Sequence, residues 1–231
     1  MTRKTVTDAF YRSLPVMVGY IIIGFGFGIV LRDAGYGLMW AVAMSLFVYA
    51  GSMQYVGVSL ITAPASLVTA ALTTVMINAR HLFYAISMIG KFRNAGKWKP
   101  YLVFALTDET YALLSGETGH GDDFHPFCFF VSLFNHIYWI IGTVLGSLFA
   151  AALPFSTEGV NFSMTALFVS AYTEQWLSGK NRLSAALGLG ITLLGRIIFG
   201  KDLFLIPSMI VITLLLLALR GRLQGKEAEH A

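Results

Sequence analysis

The chain has 231 residues, of which 56% are hydrophobic and 12% charged, and its net charge is +4. A soluble domain carries about a quarter charged residues, so this composition excludes an ordinary water-soluble globule, and the small positive excess points to basic anchors at a membrane surface rather than to nucleic acid. Cys128 is the only cysteine, which excludes an intrachain disulfide and a thiolate metal cluster within one chain.

Apolar runs long enough to cross roughly 30 Å of hydrocarbon, which takes about 20 residues of helix, recur along nearly the whole chain. They are continuous, as in FVYAGSMQYVGVSLI from Phe47 to Ile61, rather than alternating as in a membrane β-barrel. The expected fold is an all-α polytopic membrane protein, a single transmembrane domain over residues 1–231. Candidate spans are 14–31, 38–61, 65–90, 100–116, 127–153, 160–177, 184–199 and 203–219. The first follows Arg3, Lys4 and Arg12 but is long, rich in glycine and without an A-x-A cleavage site, so it reads as a retained membrane helix. Its FGFG at 25–28 lacks the surroundings of a dinucleotide site and reads as packing glycine.

One loop, KFRNAGKWK at 91–99, is strongly basic, and the next polar stretch, GETGHGDDFH at 116–125, is acidic. The positive-inside rule then places 91–99 in the cytoplasm and 116–125 outside, joined by one crossing at 100–116. With a cytoplasmic N-terminus, the stretch 38–90 must cross an odd number of times, whereas two plain helices would cross twice. Part of it is therefore expected to be broken or re-entrant, which a membrane tolerates where protein encloses the backbone or a wet cavity borders it. At an offset of 121, FVYAGSMQY (47–55) aligns with FVSAYTEQW (168–176), and RHLFYAISM (80–88) with KDLFLIPSM (201–209). These matches predict an internal repeat with cores at 44–90 and 165–211. The parity of crossings between the copies makes it inverted, a pattern shared by many secondary transporters. Arg220, Arg222 and Lys226 point to a cytoplasmic C-terminus, which asks for one crossing more than a strict inverted repeat supplies.

Ionisable groups within membrane segments default to a protein interior or a permeation path. Asn78, Arg80 and His81 in TVMINARHLFY are candidates on that ground. Arg80 reads equally as a side chain snorkelling toward the surface near Lys91, and His81 either titrates near neutrality or is a buried ring satisfied by one hydrogen bond. Asp108 and Glu109 stand about 100° apart around a helix, so both cannot address one partner. Binding of an amine or a proton, and a structural salt bridge, are the two readings. Gln54 lies between Gly51 and Gly57 in GSMQYVG, where a helix broken at the glycines would expose backbone groups to a zwitterion, or where the glycines serve close packing. Glu174 and Gln175 occupy the matching place in the second copy. Asn135 in FNHIYW is a pathway candidate, with Tyr138 and Trp139 read as interfacial anchors. No P-loop, H-E-x-x-H, G-x-S-x-G or zinc spacing occurs, and His120, His125 and His136 are too scattered for a metal site. Neither an enzyme nor a bound metal or cofactor is expected.

At Ala50-Gly51-Ser52-Met53-Gln54-Tyr55, Asn78-Ala79-Arg80-His81-Leu82-Phe83-Tyr84 and Thr107-Asp108-Glu109-Thr110-Tyr111-Ala112, the chain resembles the AzlC family, the large subunits of bacterial branched-chain amino acid exporters. The resemblance covers nearly the whole chain and is least familiar at 116–126. It implies a multi-pass permease of the bacterial cytoplasmic (inner) membrane that exports valine, leucine, isoleucine and methionine, is driven by the proton-motive force, and works with a small hydrophobic membrane subunit of the AzlD type. Gln54, Asn78, Arg80, His81, Asp108 and Glu109 fall in the matching motifs. In the corresponding mechanism Arg80 or a helix N-terminus holds the substrate carboxylate, while Gln54 and Asp108 hold its ammonium. The alternatives are a carrier of another small neutral amino acid, since one methylene changes binding by only about 1–3 kcal/mol, and a non-transporting scaffold subunit.

Overall fold

The computed structural model describes residues 3–63, 65–152, 169, 172, 173, 176, 177, 182–204, 207, 208, 210–212, 214, 215 and 218, and no strand occurs among them. The chain divides into two units, Met1–Met164 and Thr165–Ala231, each described by itself. The first contains α1 (Arg3–Asp33), α2 (Leu38–Phe47), α3 (Gly51–Thr62), α4 (Leu67–Phe92), α5 (Lys99–Phe104), α6 (Asp108–Ser115) and α7 (Phe124–Ala152). In the second, α8 (Arg182–Leu203) is interrupted by a left-handed kink at Gly200, φ +75°. Among the described residues, α1, α7 with its preceding turn, and the Arg182–Gly200 part of α8 are long and apolar enough to cross a membrane.

Small residues bring α1 and α7 into direct backbone contact. A Cβ added at Gly28 would overlap the Thr143 carbonyl, and one at Gly146 would overlap the Phe25 carbonyl; Gly24 and Gly142 are also tightly packed, their added atoms lying 2.9 Å from Trp139 O and 2.6 Å from Ile21 O. Gly24/Gly28 and Gly142/Gly146 thus form two reciprocal small-xxx-small faces, the usual way for helices to associate where lipid supplies no hydrophobic drive. The pair is parallel, because contacts advance together along both helices. The Thr5 hydroxyl donates to Asp123 Oδ2 at 2.6 Å, Phe10 packs edge-on to Phe134, Ser13 Oγ meets Tyr138 OH at 3.1 Å, and Tyr20 packs on Trp139. Both helices therefore begin at one face, here the N-terminal face.

The chain between them must return once, and α4 makes that crossing. Its 26 residues span about 39 Å at 1.5 Å per residue, and Ser66 caps its start by accepting from Thr69 N–H at 3.1 Å. At its far end the Lys91 ammonium donates to the carbonyls of Leu114, Ser115 and Glu117 at 3.0, 2.6 and 2.7 Å. Arg12 likewise reaches Leu113 O and Glu117. The end of α4, the end of α6 and the residues before α7 consequently share the N-terminal face.

This arrangement corrects the expected crossing at 100–116 and the placement of 91–99 and 116–125 on opposite sides. The segment is a re-entrant hairpin. On the way in, Trp98 and Tyr101 pack on Phe129, then Tyr101 and Phe104 on His136. On the way out, Thr110 meets Asn135 and Leu114 joins the cluster of Phe127, Cys128 and Val131. Six residues of α5 and eight of α6 give only about 9 and 12 Å of helix, too short for a crossing. The turn at 105–107 ends with Thr107 in extended conformation, its hydroxyl capping α6 by accepting from Thr110 N–H at 3.3 Å.

A second hairpin enters from the opposite face. In α2–α3 an added Cβ at Gly57 would meet Met44 at 3.6 Å, so the two helices run antiparallel about the turn 48–50. Ser45 O reaches His136 and Tyr49 stacks on that ring at 4.0 Å, after which α3 climbs back along α1, Tyr55 OH donating to Ile23 O at 2.8 Å. The expected irregularity within 38–90 is this hairpin. Gly57, expected as a helix break, lies inside α3; the break precedes Gly51, and Tyr49 takes φ +38°, a conformation costing on the order of 1–3 kcal/mol.

In the second unit, Gly195 lets Ser208 approach α8. The predicted second repeat core, 165–211, lies wholly in this unit and partly outside the described residues. At the offset of 121, Ala79 lies within the continuous α4 and Gly200 at the kink of α8.

Two measurements check this topology. In a Cys128→Ser background, single cysteines at Asn94 and Thr118 are expected to react with an impermeant thiol reagent from the same side and one at Gly35 from the other; a crossing at 99–115 would pair Thr118 with Gly35. Gly146→Val is expected to lower the unfolding temperature of the purified protein, since overpacking typically costs about 1–3 kcal/mol, whereas Gly90→Ala, whose added atom meets nothing, stays close to the parent.

Candidate functional site

The turns of the two opposed hairpins meet halfway through the first unit, where Tyr49 and Phe104 lie 6.2 Å apart between ring centroids. Arg80, about 20 Å along α4 from its start, faces both. Its guanidinium pairs with Asp108 Oδ2 at 2.5 Å and donates from Nη2 to Ser52 Oγ at 2.6 Å. Asp108 is the first residue of α6 and Ser52 the second of α3, so one side chain on the crossing helix ties the first turns of both returning helices. Asp108 also lies at the positive end of the α6 dipole, which favours a carboxylate there. The snorkelling reading of Arg80 is thereby replaced: its head group is held at mid-depth by two partners.

Adjacent carboxylates diverge as helix geometry requires. Asp108 turns to α4, while Glu109 turns to α1 and accepts from Tyr20 OH at 2.7 Å. Tyr20 OH also lies 2.5 Å from Thr107 Oγ1, which is 3.0 Å from Thr110 Oγ1, and that oxygen accepts from Asn135 Nδ2 at 3.0 Å. A continuous polar chain thus runs from Glu109 through α1 and the α6 cap to α7. Both Thr110 and Asn135 are fully buried.

The other predicted residues take separate places. Gln54 is fully buried in the first turns of α3, and neither of its amide atoms has a hydrogen-bond partner among the described residues; helix side chains lean toward the N-terminus, so it points back toward the hairpin turn. The Asn78 Oδ1 is buried and unpartnered. His81 Nδ1 lies 3.2 Å from the Asn78 carbonyl, and the ring packs edge-on to Tyr84. Gly51 sits against Trp139, 2.9 Å from ring to added Cβ. Glu174 and Gln175 lie outside the described residues. No group of His, Cys, Asp and Glu able to hold a metal occurs among the described residues.

Sequence reasoning assigned no role to Tyr20, Ser52, Thr107, Thr110 or His136, although Ser52, Thr107 and Thr110 stand in the motifs that carry the family resemblance. His136 Nε2 donates to Ser45 O at 2.9 Å, which leaves Nδ1 to accept from Tyr101 OH at 3.0 Å, so this ring joins α2, α5 and α7. Tyr138 and Trp139, expected as interfacial anchors, are 6% and 4% exposed and pack inward on α1. Their spacing gave the signal: Asn135, His136, Tyr138 and Trp139 fall in the middle of a long apolar helix, away from either end.

The profile of the AzlC family, described as AzlC protein, matches residues 15–153, the stretch from α1 to the end of α7. The branched-chain amino acid transport protein AzlC of Bacillus subtilis is 38% identical over 221 residues, covering 95% of this chain and 87% of that one. The chain belongs to the AzlC family. An uncharacterized membrane protein of Haemophilus influenzae is 41% identical over 93% of this chain and 88% of its own, and the inner membrane protein YgaZ of Escherichia coli is 28% identical over 86% and 82%. No solved structure matches.

For this AzlC-family protein the Arg80–Asp108 pair, its side chains 24% and 29% exposed, makes a measurable demand. Removing one partner of a fully buried pair typically costs about 3–5 kcal/mol, because the other charge is left uncompensated, and the partial exposure of this pair lowers that cost. Arg80→Ala and Asp108→Asn alone are expected to lower the unfolding temperature more than the double variant does; additive losses would mean that the two side chains act independently.

Proposed function

We propose that the chain is the large subunit of a two-component exporter of branched-chain amino acids, valine, leucine, isoleucine and methionine, in the bacterial cytoplasmic membrane, working with a small AzlD-type hydrophobic subunit and driven by the proton gradient. It is a membrane transport protein and not an enzyme. The observation that carries the substrate reading is the 38% identity over 95% of the chain to a relative named as a branched-chain amino acid transport protein. Arg3, Lys4, Arg12, Lys91, Arg93, Lys97 and Lys99 gather at the N-terminal face, against Arg32 at the other, which favours a cytoplasmic N-terminal face.

The geometry supports an alternating route. Each hairpin opens from one face and closes at mid-depth, so withdrawing one turn at a time would expose the same central region to one side and then the other. Arg80 and Asp108 neutralise each other in this structure, and a zwitterion is complementary to that pair: its carboxylate would replace Asp108 beside Arg80 as its ammonium replaces Arg80 beside Asp108. Gln54, buried with unpartnered amide atoms, is placed to join the substrate's polar groups, and the aromatic and aliphatic side chains about the turns suit a branched side chain.

The test is export of radiolabelled leucine from cells loaded with a leucine dipeptide, with this chain alone, with the small subunit, and with a protonophore. Export that needs both chains and disappears with the gradient is expected. Leucine retention in every arrangement, with both chains in the membrane, would overturn the substrate reading, and export by this chain alone would overturn the two-component reading.

A further inference from the structure

We propose that Glu109 is the proton-binding residue of the transport cycle, and that Tyr20, Thr107 and Thr110 carry its protonation state to α7 as a reversible hydrogen-bond chain. The inference rests on the proton-driven reading above and goes beyond it by naming the group that takes the proton.

The charge count at mid-depth leads to it. Arg80 faces two carboxylates, and its guanidinium is paired with Asp108. Glu109 has no lysine, arginine or histidine within ion-pair distance among the described residues; its contact is the neutral hydroxyl of Tyr20, about 26 Å along α1 from Arg3. With both acids ionised, one negative charge is left over among the described residues at the depth where isolated charge is most expensive. One proton removes it. Arg80 already pairs with Asp108, so Glu109 is the acid that takes it. The titratable and charged groups around Glu109 are Tyr20 on α1, Tyr49 at the α2–α3 turn, Arg80 and Tyr84 on α4, and Asp108 beside it. His81, the other titratable group of the motif, is bonded to its own helix.

The chain of hydroxyls gives the proton a structural consequence. With Glu109 ionised, Tyr20 O–H donates to Oε2 and cannot also donate to Thr107, so the Thr107 hydroxyl hydrogen turns from Thr110 to the tyrosine oxygen. Once Glu109 is protonated, its own O–H donates to Tyr20, Tyr20 donates to Thr107 Oγ1, and Thr107 donates to Thr110 Oγ1, which already accepts from Asn135. The only covalent bond that forms or breaks is the O–H bond of Glu109; the other hydroxyls reverse by rotation alone. Thr107 is also the cap that starts α6, so the reversal is registered at the hairpin turn and on α7 together.

The first test needs no substrate. In the purified full chain in lipid, a pH titration followed by infrared difference spectroscopy is expected to show a protonated-carboxyl band that disappears in Glu109→Gln; a band unchanged in that variant overturns the assignment. In Tyr20→Phe the band's midpoint is expected to move to higher pH, because the charge-assisted bond favouring the ionised acid is lost, and an unmoved midpoint would break the proposed link. The second test uses proteoliposomes. Glu109→Gln is expected to lose accumulation of leucine driven by a pH gradient while retaining leucine–leucine exchange without one. Gradient-driven accumulation by Glu109→Gln, or loss of exchange at normal abundance and unfolding temperature, would overturn the role, the latter making Glu109 a substrate ligand. Wild-type chain with the small subunit that neither accumulates nor exchanges leucine would count against the substrate reading alone, since the infrared result stands without it.

Discussion

A guanidinium at the centre of a bilayer has to be surrounded by acceptors and countercharge, and the way Arg80 is surrounded organises the first unit. Two of its partners come from different hairpins, Ser52 from α3 and Asp108 from α6, and both are in first turns that begin at mid-depth. The hairpins enter from opposite faces, so the closure of each is linked to the other through a single side chain on the one helix that crosses between them. Moving either turn away removes a partner from Arg80. A site of this kind favours states in which a ligand or the other hairpin supplies the missing contact.

The same region has to satisfy backbone interrupted inside the membrane. At the lower turn the cap is Thr107, while at the upper one Tyr49 adopts a strained left-handed conformation and stacks on His136. His136 supports both turns, donating to Ser45 O beside one and accepting from Tyr101 in the arm of the other. Irregular backbone persists at depth where protein encloses it, and the mid-section of α7, with Asn135, His136 and Trp139, does the enclosing. This explains why α7 carries its polar and aromatic residues in its middle.

Much of this was legible in the sequence, but unevenly. The helical membrane class follows from composition, and the need for a broken or re-entrant element within 38–90 follows from crossing parity, as the α2–α3 hairpin shows. The divergence of Asp108 and Glu109 follows from helix geometry alone. The second hairpin was misread because charge sign was used where length and capping should have decided: Thr107 before Asp108 and Glu109 is a helix-start pattern, and a helix starting there has no room to have crossed. The acidic stretch 116–125 looked external because Glu117, Asp122 and Asp123 outweigh its basic groups, yet Glu117 answers Arg12 and Asp123 answers Thr5 from elsewhere on the same face. Long-range partners of that sort, like Tyr20 for Glu109, leave no local trace in a single chain.

The parallel pairing of α1 with α7 carries a consequence for synthesis. The glycine face of α1 meets its partner only after 118 further residues have been made, as the separation of Thr5 from Asp123 shows. At ribosomal speeds of about 5–20 residues per second, this is a wait of roughly 6–24 s. Throughout it α1 sits in lipid with its close-packing surface uncovered, and the hairpins that follow lack the support of α7, α3 having only α1 to pack on. The nascent protein therefore passes through a stage in which its most polar membrane segments are already made and their enclosure is not, and a membrane insertase able to shelter them would govern how much of it matures.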